Sequence, residues 1–498
     1  MASPLVRWLT ARTADELATI LAHRRDTLEP PFVADLGGLA ARLQLNHSVY
    51  AALTTLSLPA FEVVEAMAAL GGPAVPRERL AAAIGRTTGD PDLAATLRNL
   101  ADRAIVWTDD AGDLRMGGAL WTAGMAAGVG RLDRGAPFHP TPPEVAVTEA
   151  AAAAVTDEAT TAAIALVETV AAVVGAAPVA LRKTGDVGLP EARRLAAAAG
   201  GDEQRVRVCV ELARAAGLLA PAGAGSLVPT DAYDAWYADQ PAGRFVSLAG
   251  RWPTLSTVAG VPPERAGDRV ATGGPAGSTA AALRTALVML LGELPGGRGY
   301  ANEADLAAAL RWRLPTLAPA TAYPRLVAGL LAEGRLVGAV ALGALTPFGS
   351  ALREGGAALR KAADELLPAP VDEAVFRADL TVVVTGIPTG ELAALLDAAA
   401  VRESTGAAAT WRFTPASVRA ALDAGGTPEG LRNALAAVAA GRALPQVLEV
   451  LIEDAGRRHG AVTVRSVRCV LHTAQPALLA EILRTRSLGE LGLTRLAP

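Results

Sequence analysis

The chain has few lysine, cysteine and aromatic residues, and each shortage narrows the classes of protein to which it could belong. Lysine occurs only twice in 498 residues, at Lys183 and Lys361, and aromatic residues make up 4%. Cysteine also occurs only twice, at Cys209 and Cys469, so we predict no disulfide framework and expect a reducing compartment. The N-terminus carries charges throughout and has no apolar h-region, so we predict no signal peptide and a cytoplasmic location.

The chain also lacks a strong basic balance and a strong membrane span. Its net charge is −4 and its pI is near 5.9, which argues against bulk adhesion to phosphate backbones and leaves only a local basic face. The most apolar run, 160–181, is built from weakly hydrophobic alanine and threonine, and Glu168 interrupts it. We therefore predict no contact with a membrane.

What the chain has in abundance is alanine. The apolar fraction is 51% and the mean hydropathy is +0.31, although aromatic residues are rare. Alanine favours helices more than it fills cores, so we predict an α+β fold that is mainly α. A length of 498 residues suggests about three or four compact units.

One order of elements recurs along the chain. From Phe61 the pattern predicts three short helices and a hairpin that turns at 110–113, which is the order of a winged helix. Two further copies can be traced, whose third helices we predict to end at Gly217 and Gly334. We interpret these as a divergent repeat of tandem winged-helix (helix-turn-helix) units.

The predicted organisation has five segments joined by Pro/Gly-rich linkers at 134–144 and 259–278. The segments are an N-terminal helical segment (1–50), a first winged helix (51–130), a second (145–250), a third (279–356) and a C-terminal α/β module (372–498).

The C-terminal module contains a cluster of cations, Arg457, Arg458 and His459. Leu444, Val447, Leu448, Leu451 and Ile452 share one predicted helical face ahead of it, and Gly460 is the expected terminator. Cations in a last helical turn complement the helix dipole, so a helix end is the preferred interpretation. The alternatives are a basic surface that binds a partner and, least favoured, a catalytic cluster.

Three stretches of this module carry a family resemblance. They are F-x-A-D-L-T-x-V-V (376–384), R-F-T-P-A-S-V-R-A-A-L-D-A-G (412–425) and L-P-Q-x-L-x-x-L-I-E-D-x-x-R-R-H-G-x-V-x-V (444–464). Taken in this order they resemble the N-terminal accessory domain of XPB-type DNA repair helicases. They are still more similar to the helicase-associated domain proteins of actinobacteria, which the first hundred or so residues also resemble. Chains of that family often continue well beyond the equivalent of Pro498.

The resemblance implies an interaction module that docks on a partner, with an XPB-type helicase as the candidate partner. In that family the ATPase motor lies elsewhere in the chain, and its motifs are missing here. A Walker A loop needs Gly before its lysine, whereas Arg182 precedes Lys183 and Arg360 precedes Lys361. The tetrad 372–375 mimics a helicase DExx box, but prolines 368 and 370 interrupt the strand that should precede it. We therefore predict that the chain is not an enzyme.

No cofactor or metal site is predicted. The five histidines are dispersed, and Cys469 with His472 is the one pair with metal-like spacing, which we interpret as a core cysteine beside a polar histidine. Neither a nucleophile elbow nor a dinucleotide fingerprint is present.

If the chain binds DNA, the second winged helix is the best candidate. The third helix of the first unit mixes Asp90, Asp92 and Asp102 with two arginines, which is an unpromising surface for phosphates. The second unit carries the predicted DNA-binding residues, namely Arg182, Lys183, Arg193, Arg194, Arg205, Arg207 and Arg214. Acidic residues lie among them, so a solvated mixed-charge face remains the alternative.

Three functions are consistent with this sequence. The leading hypothesis is a non-enzymatic DNA-binding or helicase-associated accessory protein in DNA repair or transcription-linked DNA transactions. The second is a protein scaffold or transcriptional regulator without direct DNA contact. The third is a tandem winged-helix DNA glycosylase that repairs crosslinks, although the Gln-x-Gln type motif of those enzymes is missing.

Overall fold

The structure is a computed structural model that describes residues 3–30, 32–72, 74–118, 138–183, 185–223, 225–261, 264–266, 269–271, 278–404 and 408–458. The chain divides into two compact units. The larger unit comprises Met1–Val375, Val383–Ala394 and Arg402–Trp411, and the smaller unit comprises Phe376–Val382, Leu395–Val401 and Arg412–Pro498.

The secondary structure is α+β and mainly helical, as predicted. The helices are α1 (Pro4–Thr10), α2 (Ala14–His23), α3 (Leu36–Leu43), α4 (Asn46–Leu53), α5 (Leu58–Leu70), α6 (Arg77–Ala83), α7 (Pro91–Ala101), α8 (Ala152–Gly175), α9 (Leu189–Ala199), α10 (Glu203–Ala215), α11 (Ala232–Ala238), α12 (Pro241–Ala249), α13 (Ser278–Gly292), α14 (Glu303–Arg313), α15 (Tyr323–Leu336), α16 (Pro347–Ala351), α17 (Gly356–Leu366), α18 (Gly390–Ala399), α19 (Pro415–Asp423), α20 (Pro428–Ala437) and α21 (Gln446–Arg458).

The strands are short. They are β1 (Val106–Thr108), β2 (Leu114–Met116), β3 (Val147–Glu149), β4 (Val179–Ala180), β5 (Leu219–Ala222), β6 (Ser226–Pro229), β7 (Glu264–Ala266), β8 (Arg269–Ala271), β9 (Arg298–Tyr300), β10 (Val340–Ala341), β11 (Ala344–Leu345), β12 (Val375–Phe376), β13 (Thr381–Thr385), β14 (Val401–Ser404) and β15 (Ala408–Arg412).

One order of elements occurs three times in the larger unit: a helix, an extended residue or strand, two helices and a hairpin. In the first copy, α5 to β2, the backbone of Val75 exchanges hydrogen bonds with Leu114 on the hairpin, at 2.8 and 2.9 Å. In the second copy, α8 to β6, strand β4 pairs with β6 in a three-stranded sheet of order β4-β6-β5. In the third copy, α13 to β11, the N–H of Tyr300 donates to the carbonyl of Gly343 at 3.0 Å.

An apolar cluster centres on each copy, and the second cluster also includes residues of the third copy such as Val288 and Ala341. The first centres on α5 and includes Val63 and Leu97, and the third includes Leu287 and Leu330. The second cluster is the most extensive and includes Leu166 of α8, with α12 and α17 packed against it. The N-terminal helices form a smaller cluster around Trp8 and Trp107, whose ring centroids are 6.3 Å apart.

The helix α8 covers most of the apolar run 160–181. By length and composition alone it could cross a membrane, and it is the helix that meets this test among the described residues. Its Ala163, Leu166, Val170 and Val173 are nevertheless completely buried in the second cluster. The apolar side chains of α8 therefore contribute to the core of the larger unit.

The glycine predicted to end the third helix does so in the second copy but not in the third. Helix α10 begins at the N-cap Asp202 and is followed by Gly217 in a left-handed conformation with φ of +76°, as expected. The prediction that Gly334 ends the other helix is wrong. Helix α15 continues to Leu336, and Gly338 supplies the left-handed residue. A Cβ on Gly334 would lie 2.9 Å from Val340, so this glycine permits close packing.

The predicted linkers are more ordered than their composition indicates. In 134–144, Phe138 is buried in the first cluster, and the N–H of His139 donates to Glu62 at 2.9 Å. In 259–278, Gly260 and Val261 are buried, and β7 pairs with β8 in a short hairpin that the sequence did not predict. Glycine and proline signal a change of direction here, but the described residues of both segments pack against, or pair with, other parts of the chain.

The smaller unit contains α19, α20 and α21. Leu448 and Ile452 of α21 are buried, and α21 packs against both other helices. Thr414 caps α19 by accepting from the N–H of Ser417 at 3.0 Å. Placing Val447 on the buried face was wrong, because its side chain is 51% exposed. The C-terminal strands form a sheet of order β12-β13-β15-β14.

Candidate functional site

The third helix of the second copy, α10, is largely a core helix. Six of its thirteen residues are buried, namely Val206, Val208, Cys209, Val210, Leu212 and Ala213. It packs against α8, α9, α12 and α15. A helix that enters the major groove of DNA needs a solvent-exposed face along its N-terminal part. In α10 the partly exposed side chains are Glu203, Gln204, Arg205, Arg207, Glu211 and Arg214, and Ala215 is exposed at its C-terminal end.

The third helices of the other two copies differ in exposure. In α15, Leu326, Val327, Leu330 and Leu331 are buried, and the exposed residues are Pro324, Ala328 and Arg335. In α7, by contrast, Asp92, Ala95, Arg98 and Asn99 are exposed along one face. Among the three, α7 therefore presents the most accessible face, although Asp90 and Asp92 make its N-terminal turn acidic.

Arg193 and Arg194 lie side by side on α9, and each pairs with a carboxylate. Arg193 Nε donates to Glu203 at 2.8 Å. Arg194 contacts Glu191 at 2.6 and 2.9 Å and also donates to the carbonyls of Ala176 and Pro178 at 3.0 and 3.1 Å.

These contacts give Arg194 a structural role. The hydrogen bond from Arg194 lowers the pKa of Glu191, and the same bond raises the pKa of Arg194. The N–H groups of Arg194 donate to the chain between α8 and β4, so its hydrogen-bonding capacity is largely used within the protein.

Arg207 and Arg214 lie on the face of α10 that points away from the core. Arg214 donates to Glu211 at 3.1 Å. Burial lowers the pKa of Arg207, while Asp186, Glu211 and Glu203 act in the opposite direction. These two predicted DNA-binding residues therefore sit among carboxylates, in a mixed-charge surface.

Arg205 lines a different surface, a groove of about 570 Å³ between α8, α10 and α15. Asp157, Glu158 and Asp202 bring negative charge to it, and Arg335 brings a second positive charge. The Nε of Arg205 is buried and has no hydrogen-bond partner. The structure thus separates Arg205 from Arg207 and Arg214, as expected for a helix position that points aside.

Arg182 and Lys183 are exposed in the turn between β4 and α9. The N–H of Arg182 bonds to the carbonyl of Asp186 at 2.8 Å, which closes the turn. The same aspartate acts electrostatically on Arg207, so this turn lies near the N-terminal half of α10. The seven predicted cations are therefore in one region, but they do not form a continuous basic face.

The basic cluster of the C-terminal module is partly described. Arg457 is 72% exposed and contacts Asp454 one turn earlier. Helix α21 is described as far as Arg458, and His459 and Gly460 lie outside the described residues, so the helix-end interpretation stays a prediction. An exposed intrahelical pair of this kind contributes little to stability, so Arg457 remains accessible to a partner.

The two lysines and the acidic residues of the DExx-like tetrad lie on the protein surface. Lys183 is in an exposed turn and Lys361 pairs with Glu365 at 3.7 Å on α17. Asp372 and Glu373 of the DExx-like tetrad are exposed.

In the described part of the chain, no group of three or more His, Cys, Asp or Glu side chains could hold a metal ion. Cys209 is fully buried, and burial raises the pKa of its thiol to about 12. It is an unreactive core residue. The Cys469 and His472 pair lies outside the described residues.

One buried polar cluster has no counterpart among the sequence motifs. Arg284 and Glu333 form a completely buried ion pair at 2.9 Å, and the same carboxylate accepts from Trp252 and from the N–H of Gly260. The two charged residues are 49 positions apart and lie on different helices, α13 and α15. A sequence pattern carries no signal for such a pairing.

Comparison with known proteins adds one match. Residues 375–497 match the family model of the helicase conserved C-terminal domain, and these residues lie within the predicted module 372–498. No curated protein matches the chain. The protein therefore carries a helicase-associated domain over residues 375–497.

Proposed function

We propose that this protein is a non-enzymatic accessory factor of an XPB-type DNA repair helicase. The single observation that carries the proposal is the helicase-domain match at residues 375–497. The sequence contains no Walker A lysine, which favours an accessory role beside a separate ATPase motor. The protein acts in the cytoplasm, in DNA repair or transcription-linked DNA transactions.

We further infer that the three repeated groups are winged helices. The support is their common order of elements and the return of the hairpin to the extended segment that precedes the second helix. Two of their third helices are used for packing. The larger unit accordingly acts mainly as a scaffold, and the helicase-associated domain supplies the contact with the motor.

The first experiment combines the purified full chain with a purified XPB-type helicase. We expect a complex in sedimentation velocity and a changed ATPase rate of the helicase. Arg457→Glu should weaken the complex at least tenfold, whereas Arg419→Glu, an exposed charge reversal on α19, should leave it unchanged. ATP hydrolysis by the chain alone, or no complex, would overturn the proposal.

DNA contact is a separate part of the hypothesis. If the second winged helix binds DNA, binding should weaken with salt, and reversal of Arg205, Arg207 and Arg214 should reduce the salt slope by about one for each lost phosphate contact. Salt-independent or absent binding would leave the protein as a scaffold without DNA contact. The buried α10 and the paired arginines favour that second candidate.

A further inference from the structure

A groove in the larger unit has no assigned role. It has a volume of about 920 Å³ and lies between α4 and α13, with residues of the loop after α14 at its base. Tyr50 of α4 and Met289 of α13 stand on its rims and are 57% and 41% exposed. Large apolar side chains left this exposed commonly mark an interaction surface.

The groove is uncharged. Its lining includes no Asp, Glu, Lys or Arg, and His47 and Tyr50 are its only ionisable side chains. Charged residues make up 19% of the whole chain, so a lining of fourteen residues without one is distinctive. A charged partner surface would lose its hydration here without gaining an opposite charge. The groove therefore fits an uncharged surface.

Four of the five threonine hydroxyls in the groove already donate hydrogen bonds within the protein. Thr54 and Thr55 donate to carbonyls three residues earlier at 2.7 and 2.8 Å, and Thr285 donates to Ala281 at 3.0 Å. Thr316 donates to the carbonyl of Leu53 at 3.4 Å. Since these donors are satisfied inside the protein, a bound surface need not supply acceptors for them, and apolar groups can cover the threonines.

The length of the groove suits a helix. Lining residues run from position 46 to 55 on one side and from 279 to 289 on the other. Ten residues of helix span about 15 Å, or nearly three turns. A small ligand is usually enclosed over most of its surface, whereas rims with side chains half exposed suit a longer partner. Met289 adds an adaptable rim, as methionine does in other helix-binding grooves.

We propose that the groove between α4 and α13 binds an amphipathic helix of a partner protein, about three turns long, through an uncharged apolar face. The partner's apolar side chains would repeat at i, i+3 or i+4 and i+7, the spacing of helix-in-groove recognition. This inference does not depend on the helicase assignment, because it uses residues far outside 375–497.

The test is a selection of displayed helical peptides of about 14 residues on the purified full chain. Binding constants of the selected peptides are then measured for the wild type and for Thr285→Glu with Met289→Glu. Both positions are exposed, so the variant should fold, which its melting temperature verifies. The matched controls are Ala82→Glu, an exposed helix position on α6 outside the groove, and Met289→Leu, which retains an apolar rim.

We expect selected peptides with an uncharged i, i+3 or i+4, i+7 stripe that bind the double variant at least tenfold more weakly and both controls normally. Peptides without such a stripe, or binding that the double variant does not change, would overturn the proposal. Self-association of the wild type that the double variant abolishes would also overturn it, because a second copy of the chain would then be the occupant.

Discussion

Arg284 and Glu333 form a salt bridge at 2.9 Å with neither side chain exposed to solvent. Arg284 also donates to the carbonyl of Leu255 at 2.6 Å, and Glu333 accepts from Trp252 at 2.9 Å. Every charge in this cluster is therefore matched by a donor or acceptor. The pair joins α13 and α15 of the third copy to the chain that follows α12, which makes it a fixed point of the larger unit.

Removing one partner of this pair should be strongly destabilising. Glu333→Leu leaves the Arg284 guanidinium buried without its carboxylate, and we expect a loss of about 3–5 kcal/mol in the free energy of unfolding. The double variant Arg284→Met with Glu333→Leu removes both charges and should be less destabilised than Glu333→Leu alone. Urea titration followed by tryptophan fluorescence measures both. If the double variant lost as much free energy of unfolding as Glu333→Leu and Arg284→Met lose together as single variants, this interpretation would be contradicted.

Gly329 should not tolerate alanine, although it lies inside a helix. Alanine is favoured over glycine in a helix by about 1 kcal/mol. A Cβ on Gly329 would, however, lie 2.5 Å from a methyl of Val261 and 2.9 Å from its backbone nitrogen. We expect Gly329→Ala to lower the melting temperature by several degrees, because the backbone beside it cannot move away easily.

The matched control is Gly175→Ala at the end of α8. Nothing lies within 4 Å of the Cβ position of Gly175, and its φ is not positive. This substitution should be neutral or slightly stabilising in the same thermal scan. Equal melting temperatures for the two variants would show that the close approach at Gly329 is not real.

Arg193 and Arg194 are adjacent, but their substitution should have different consequences. Arg194→Ala removes hydrogen bonds to Glu191, Ala176 and Pro178, and we expect a cost of about 1–2 kcal/mol, since the side chain is partly exposed. Arg193→Ala breaks one exposed pair with Glu203 and should cost less than about 0.5 kcal/mol. Thermal unfolding of the two variants, with the wild type as reference, distinguishes a structural arginine from a surface one.

Local structure was predictable from the sequence where a single residue controls it. Asp202 begins α10 and Gly217 follows its end, because side-chain capping and a left-handed conformation depend on the residue itself. The error at Gly334 has a physical cause. A glycine that ends a helix and a glycine that admits Trp252 and Val340 close to a helix look identical in sequence.

Contacts between distant residues were not predictable in the same way. The run Val206–Ala213 is rich in β-branched and apolar residues, but only the packing of α8 and α15 around it decides that α10 is enclosed. The groove between α4 and α13 joins residues more than two hundred positions apart and has no motif. For the same reason the arginines that suggested a DNA-binding face could not be assigned their carboxylate partners from sequence.

The buried thiol of Cys209 should make the stability of the protein fall at alkaline pH. Burial raises the pKa of Cys209 to about 12, whereas an unfolded cysteine ionises near pH 8.5. The stabilisation is therefore fully present below about pH 8.5 and is lost as the pH rises toward 12, because the unfolded chain alone releases its proton. The stability advantage of the wild type over Cys209→Ala should shrink by about 1.4 kcal/mol for each pH unit above about 9. Urea midpoints of both proteins at about pH 8, 9.5 and 10.5 measure it, and the alanine variant subtracts the other titrating groups, such as Tyr323. A constant difference between the two proteins across this range would mean that Cys209 is exposed to solvent.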